Sequence, residues 1–257
     1  MKKKLTAVAL VVCMLAIMLV GASLAYFTDK TETKNNTFTV GNVKIELTEP
    51  KWNENLNGKF VPGSNFAKDP TITVDENSED CFVFMKLTVN EFNSWLRLNA
   101  IRKNCFEYRT DCNEYQGTCQ GHMTQDFMEY FTDSDKREDL FDEWFAGINH
   151  DDWQIMNSNE IYDTLQRSWA EKYTIPTLDI IIGHKASLKA TNKVTLFTSV
   201  KMPTDIESKY IEASHFGTQW NIGITGYAIQ ANNLPDADKD GIIGIADAYA
   251  VMSFTAE

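Results

Sequence analysis

Apolar and polar positions alternate strictly in several stretches of the chain and shift to a longer period in others. Val43, Ile45 and Leu47 alternate with Lys44, Glu46 and Thr48, which predicts a half-buried strand. Pro50 and the run Asn53 to Gly58 end it, and Pro62-Gly63 predicts a turn. A short strand, Thr71-Ile72-Thr73-Val74, follows Pro70. In the longest alternation Cys81, Val83, Met85, Leu87 and Val89 occupy one parity, and Phe82, Phe84, Lys86, Thr88 and Asn90 the other. That pattern predicts a long strand with one fully apolar face.

From about residue 93 to 172 the period becomes helical. Asp133 or Ser134 is placed to cap a helix carrying Leu140, Phe141, Trp144 and Phe145, and Asn157 or Ser158 to cap one carrying Ile161, Leu165 and Trp169. Strand patterns then resume at Leu178, Ile180 and Ile182, at Val194 to Met202, and at Trp220 to Ala228, with a short helix expected between Asp205 and Phe216. Strands on both sides of a helical block, without βαβ alternation, predict a mainly β fold. The expected architecture is an antiparallel β-sandwich over 43–257 with a helical insertion at about 93–172.

The start of the chain belongs to neither pattern. Three lysines precede an apolar run from Leu5 to Val20, and Ser23 and Ala25 stand at −3 and −1 of a small-residue site. This describes a secretory signal peptide spanning 1–25; an uncleaved membrane anchor is the alternative. Cleavage removes 25 of the 257 residues and three of the 24 basic ones, leaving 232 residues with a formal charge of −15 instead of −12. Such acidity disfavours nucleic-acid binding and docking on anionic lipid. A secreted protein with no stable membrane anchor after cleavage is expected.

Export makes the cysteines informative. Cys13 leaves with the signal, and Cys81, Cys105, Cys112 and Cys119 allow two disulfides in three pairings, or four thiols in an anaerobic habitat. No Cys-x-x-Cys supports a zinc site. His122, His150, His184 and His215 are far apart and match no zinc-peptidase pattern, and no nucleophile elbow or phosphate loop occurs. A non-enzymatic protein is the default expectation.

One segment carries specific chemistry. Asp236, Asp238, Asp240 and Asp247 stand at positions 1, 3, 5 and 12 of a calcium loop of the EF-hand type, with Gly241 at the sharp turn and Ile242 at the position that offers a backbone carbonyl. Position 12 is Asp rather than Glu, as in the dockerin variant, and strand-like Tyr227 to Ala231 precedes the loop. It is therefore half an EF-hand. A helix is expected from Ala246 to Met252, so that loop and helix span 236–252. If calcium binds, the affinity expected is about 10⁻⁴ to 10⁻³ M, and the ion would lock the C-terminal helix to the last strand. The plain alternative is a solvated acidic turn.

The second feature is the arm from 26 to 42. Thr31, Thr33, Thr37 and Thr39, with Tyr26, Phe27, Phe38 and Val40, give it strand propensity without enough apolar surface for a core. Such an arm can extend the sheet edge of another subunit, or fray ahead of the first strand.

Gly21-Ala22-Ser23-Leu24-Ala25, then Tyr26-Phe27-Thr28-Asp29, then Phe38-Thr39-Val40-Gly41-Asn42-Val43-Lys44-Ile45 resemble the TasA/camelysin family of secreted proteins, processed by a SipW-type signal peptidase. Pro62-Gly63, Lys68-Asp69-Pro70, Phe82 to Leu87 and Tyr227 to Ala231 also resemble that family. The resemblance implies a jelly-roll-like β-sandwich in extracellular-matrix or cell-surface fibres, with the N-terminal arm of one subunit completing the sheet of the next. Camelysin-type members have been classed as metallopeptidases, which is the alternative function. A calcium-dependent surface binding module is a third. The four cysteines, the helical insertion and the calcium-like loop depart from the family pattern.

Overall fold

The computed structural model describes residues 42–52, 61–108, 121–171, 177–214 and 222–254. Its centre is β4 (Cys81–Asn90), ten residues long. This strand pairs on one side with β12 (Ile222–Gln230) and on the other with β9 (Thr177–His184). Beyond β9 lies β8 (Trp153–Ile155), so the four-stranded order is β12-β4-β9-β8 with every pairing antiparallel. A second sheet joins β1 (Ile45–Thr48), β3 (Thr71–Val74) and β10 (Lys193–Thr195) in the order β1-β3-β10. A third joins β2 (Asn65–Ala67), β11 (Ser199–Lys201) and β7 (Phe145–Ala146) in the order β2-β11-β7. The chain is thus β-rich, largely antiparallel, and also carries several helices.

The apolar parity of β4 behaves as its alternation requires. Cys81, Val83, Met85, Leu87 and Val89 are buried in one core with Ile72 and Val74 of β3, and Ile45 and Leu47 of β1 pack against it. The continuous strand expected over 194–202 is instead two strands in different sheets. Leu196 and Phe197, adjacent and both buried, mark the corner, where Leu196 N–H donates to the Pro70 carbonyl and Thr198 N–H to that of Ala146. A strand that changes sheets must break its alternation there.

The region of longer period contains α1 (Phe92–Arg102), α2 (Gln125–Thr132), α3 (Ser134–Asp142) and α4 (Ser158–Glu171). It also contains β7 and β8, which pair into two of the sheets, and the short antiparallel pair β5 (Phe106–Tyr108) and β6 (Gly121–Met123). The helices are therefore woven into the sheets. Asp133 caps α3, its Oδ1 accepting from the N–H groups of Asp135 and Lys136. Asn157 precedes α4 but spends its side chain elsewhere: Oδ1 accepts from Ile181 N–H and Nδ2 donates to the Asp179 carbonyl, pinning the helix start to β9. Buried Asn99 of α1 is fully used, accepting from Trp144 Nε1 and Arg102 and donating to the Trp95 carbonyl. A short helix, α5 (Ser208–Ser214), lies within the interval predicted for it.

The other parity of β4 is not simply solvent-facing. Phe82 and Phe84 are buried with Ile181 of β9 in a second, smaller apolar cluster. Its lid is the C-terminal segment that follows β12: a loop, α6 (Ile245–Val251) and the tail to Phe254.

Candidate metal centre

β12 ends where Ala231 N–H donates to the Asp80 carbonyl at 2.8 Å. The following loop needs backbone conformations that few residues adopt, with Asn233, Lys239 and Gly241 at φ of 64°, 62° and 84°. Gly241 makes the sharp turn without the cost a side chain would impose there. Its N–H donates to Asp236 Oδ2 at 3.0 Å, while Asp240 N–H donates to Asp238 Oδ1 at 3.1 Å and Ile242 N–H to Asp240 Oδ1 at 2.7 Å. These bonds curl the loop so that carboxylate oxygens of Asp236, Asp238 and Asp240 lie within 4.8 Å of one another.

Two observations bear on whether this group suits a cation. Asp236 Oδ1 is shut off from water and accepts no hydrogen bond, an orphaned anionic oxygen of the kind a bound ion satisfies. The Asp240 N–H pulls the Asp238 pKa down, yet desolvation and the Asp240, Asp247 and Asp236 carboxylates together hold it above the ordinary 3.8. Hard carboxylate oxygens without sulfur or imidazole match calcium, whose remaining ligands would be loop carbonyls and water. Asp236, Asp238 and Asp240 would hold the ion. Ile242, 70% exposed, sits on the same turn.

Asp247 stands apart from that trio. It is 1% exposed, and both its oxygens are engaged: Oδ1 accepts from Ala237 N–H at 2.6 Å and Oδ2 from Gly244 N–H at 2.8 Å. Those bonds hold its pKa below 3.8. Position 12 of the loop pattern thus acts here as a staple that joins the start of the loop to the start of α6, in the manner of the acidic half of a capping box.

The staple delivers α6 onto the outer face of the central sheet. A side chain on Gly183 of β9 would come within 2.9 Å of Ile245 Cγ1 and 3.0 Å of Met156 Sδ, so this glycine permits the close approach. Past the helix, the Phe254 ring stands edge-on to Phe84 and Tyr227, with centroids 5.3 and 5.2 Å away. The Phe254 carbonyl accepts from Lys86 Nζ at 3.2 Å and from Tyr227 Oη at 3.3 Å. Sequence reasoning missed this clamp. Its signal is the paired Phe82 and Phe84 on the parity opposite the fully apolar one.

The remaining candidates are scattered. The arm residues Tyr26, Phe27, Thr31, Thr33, Thr37, Phe38 and Val40 lie outside the described residues, as do Cys112, Cys119 and His215. Cys81 and Cys105 are both free thiols, so none of the three two-disulfide pairings, each of which uses both, is made. Burial pushes the Cys81 thiol up to about 11. His150 lies against Asp142 and Glu138 of α3, and His184 bonds the Ala186 carbonyl beside Trp153. Among the described residues, Asp236, Asp238 and Asp240 are the one group of such side chains close enough to share an ion, and no helix is long and apolar enough to cross a membrane. Comparisons with known protein families, with curated proteins and with solved structures found no match.

Proposed function

We propose that this chain is a secreted, non-enzymatic structural protein of the TasA/camelysin kind that self-assembles into extracellular or biofilm-matrix fibres. On this reading a SipW-type signal peptidase releases it, and residues 26–42 of one subunit complete a sheet of the next. The finer fold would be a jelly-roll-like β-sandwich, which the sharing of one core by β1, β3 and the inner face of β4 supports. The observation that carries the assembly reading is β12. It has nine residues at the border of the central sheet, pairs with β4 alone among the described strands, and turns half of its backbone groups outward. A long edge to which no other described strand is hydrogen-bonded is a template for another strand.

Negative-stain microscopy of residues 26–257, beside a version starting at Val43, tests this. Filaments are expected only from the longer protein. Filaments without residues 26–42 would exclude the donor-strand mechanism, and a lack of filaments from either would exclude the fibre reading.

The carboxylate loop favours calcium as a bound cofactor and supports a second reading, a calcium-dependent surface binding module. No observation favours the metallopeptidase alternative over these. Calorimetry with calcium, comparing the wild type with Asp240→Ala, tests the loop; absence of heat in both would leave an acidic turn.

A further inference from the structure

The calcium reading has a mechanical consequence for the segment that follows β12. Resting on that reading, we propose that residues 232–254 form a cation-operated cover: a bound calcium ion closes the loop and seats α6 and the tail on the outer face of the central sheet. Loss of the ion lets the segment lift while the inner core stays folded.

Three observations lead there. The apolar surface under the segment is a cluster of its own. Phe82, Phe84 and Ile181 are sealed from one side by Ile245, Ala248 and Phe254, apart from the main core. Lifting the cover therefore exposes this cluster and leaves β4 paired with β12 and β9 along its length. Next, the loop is the sole covalent link between β12 and α6, so its curl decides where the helix lands. The landing tolerance is small, because Ile245 and Met156 fill the space over Gly183.

The third observation is electrostatic. The curl brings three carboxylates within 4.8 Å and leaves Asp236 Oδ1 buried and unpartnered. In the absence of a cation, closure gathers like charges and strands an anionic oxygen. With the cation, the same geometry becomes its binding site. The staple from Asp247 to Ala237 and Gly244 then transmits loop closure to the helix, and the ties from Lys86 and Tyr227 to the Phe254 carbonyl complete the seal. A ligand that binds only the closed form shifts the opening equilibrium by mass action, by about a hundredfold at a hundred times its Kd.

Amide hydrogen exchange on the purified protein, with calcium and with chelator, reads this directly, calorimetry on the same sample giving the Kd. With calcium at a hundred times that Kd, protection in α6 should be about a hundredfold higher than in chelator, and in both conditions α6 should stay well below β4 and β9, which open only with the whole domain and gain by the same mass action. In Asp238→Asn/Asp240→Asn the calcium-dependent difference should vanish, the β4 and β9 amides showing that the variant has folded. Calcium heat with unaltered α6 protection would overturn the cover and leave the calcium site standing. Equal protection of α6, β4 and β9 in chelator would also overturn it, since α6 would then open only with the whole domain. No heat at all would remove the site, and the cover with it.

Discussion

The two faces of β4 are made by the same ten residues yet are stabilised in different ways. On the inner face, Cys81 to Val89 meet side chains from β1, β3 and the helices, so its burial is shared among elements from much of the chain. On the outer face, Phe82 and Phe84 are sealed mainly by the C-terminal segment, and after them the parity turns polar, with Lys86 and Thr88 reaching Asp179 of β9. Burying one such Phe contributes about 1.5–3 kcal/mol on either face. What differs is who supplies the cover. The inner face opens only when the whole domain unfolds, whereas the outer face opens when one loop lets go.

The contrast can be broken at either face. Leu87→Ala removes a fully buried side chain from the shared core and should cost about 2–5 kcal/mol, read in a denaturant melt as a loss common to all elements. Phe254→Ala removes ring contacts to Phe84 and Tyr227 and should cost about 1–2 kcal/mol. That loss should appear in the exchange of α6 and not in β4. Cys81, buried with its thiol pushed up to about 11, should resist alkylation at neutral pH in the native protein and react once the inner core is unfolded. Rapid native labelling would show that the inner face opens too.

The smallest effect is expected from acid. Asp247 has its folded pKa below 3.8, so its stabilisation of the loop is complete above that value and is lost as pH falls through the lower folded one. Asp238 has the opposite sign: its folded pKa is raised, so its contribution is complete below 3.8 and disappears as pH rises through the folded value. In chelator, α6 protection should therefore decline toward acid as Asp247 is protonated and toward neutral pH as Asp238 ionises. In saturating calcium the decline toward neutral pH should vanish, which exchange measured across a pH series would check.

Legibility in sequence followed locality. The alternations at Thr71–Val74 and Cys81–Asn90 mark strands at those residues because a period of two over four or more positions carries its own statement of facing. Strands of two or three residues, such as β2, β7 and β8, are too short to show a period, and they reveal themselves only by pairing. The aspartate trio was legible because carboxylates of one loop lie close along the chain. The staple made by Asp247 was not, since which N–H groups it meets depends on how the loop curls. The burial of Phe84 was the least legible, because Phe254, which packs on it, lies far along the chain.

Native-state exchange in increasing denaturant tests the two-face account most directly. The amides of α6 should exchange through an opening of low free energy that depends little on denaturant, while those of β4 and β9 should share the larger free energy and steeper slope of global unfolding. If α6, β4 and β9 instead fall on a single isotherm from the lowest denaturant concentrations, the outer face has no cover of its own and the account is wrong.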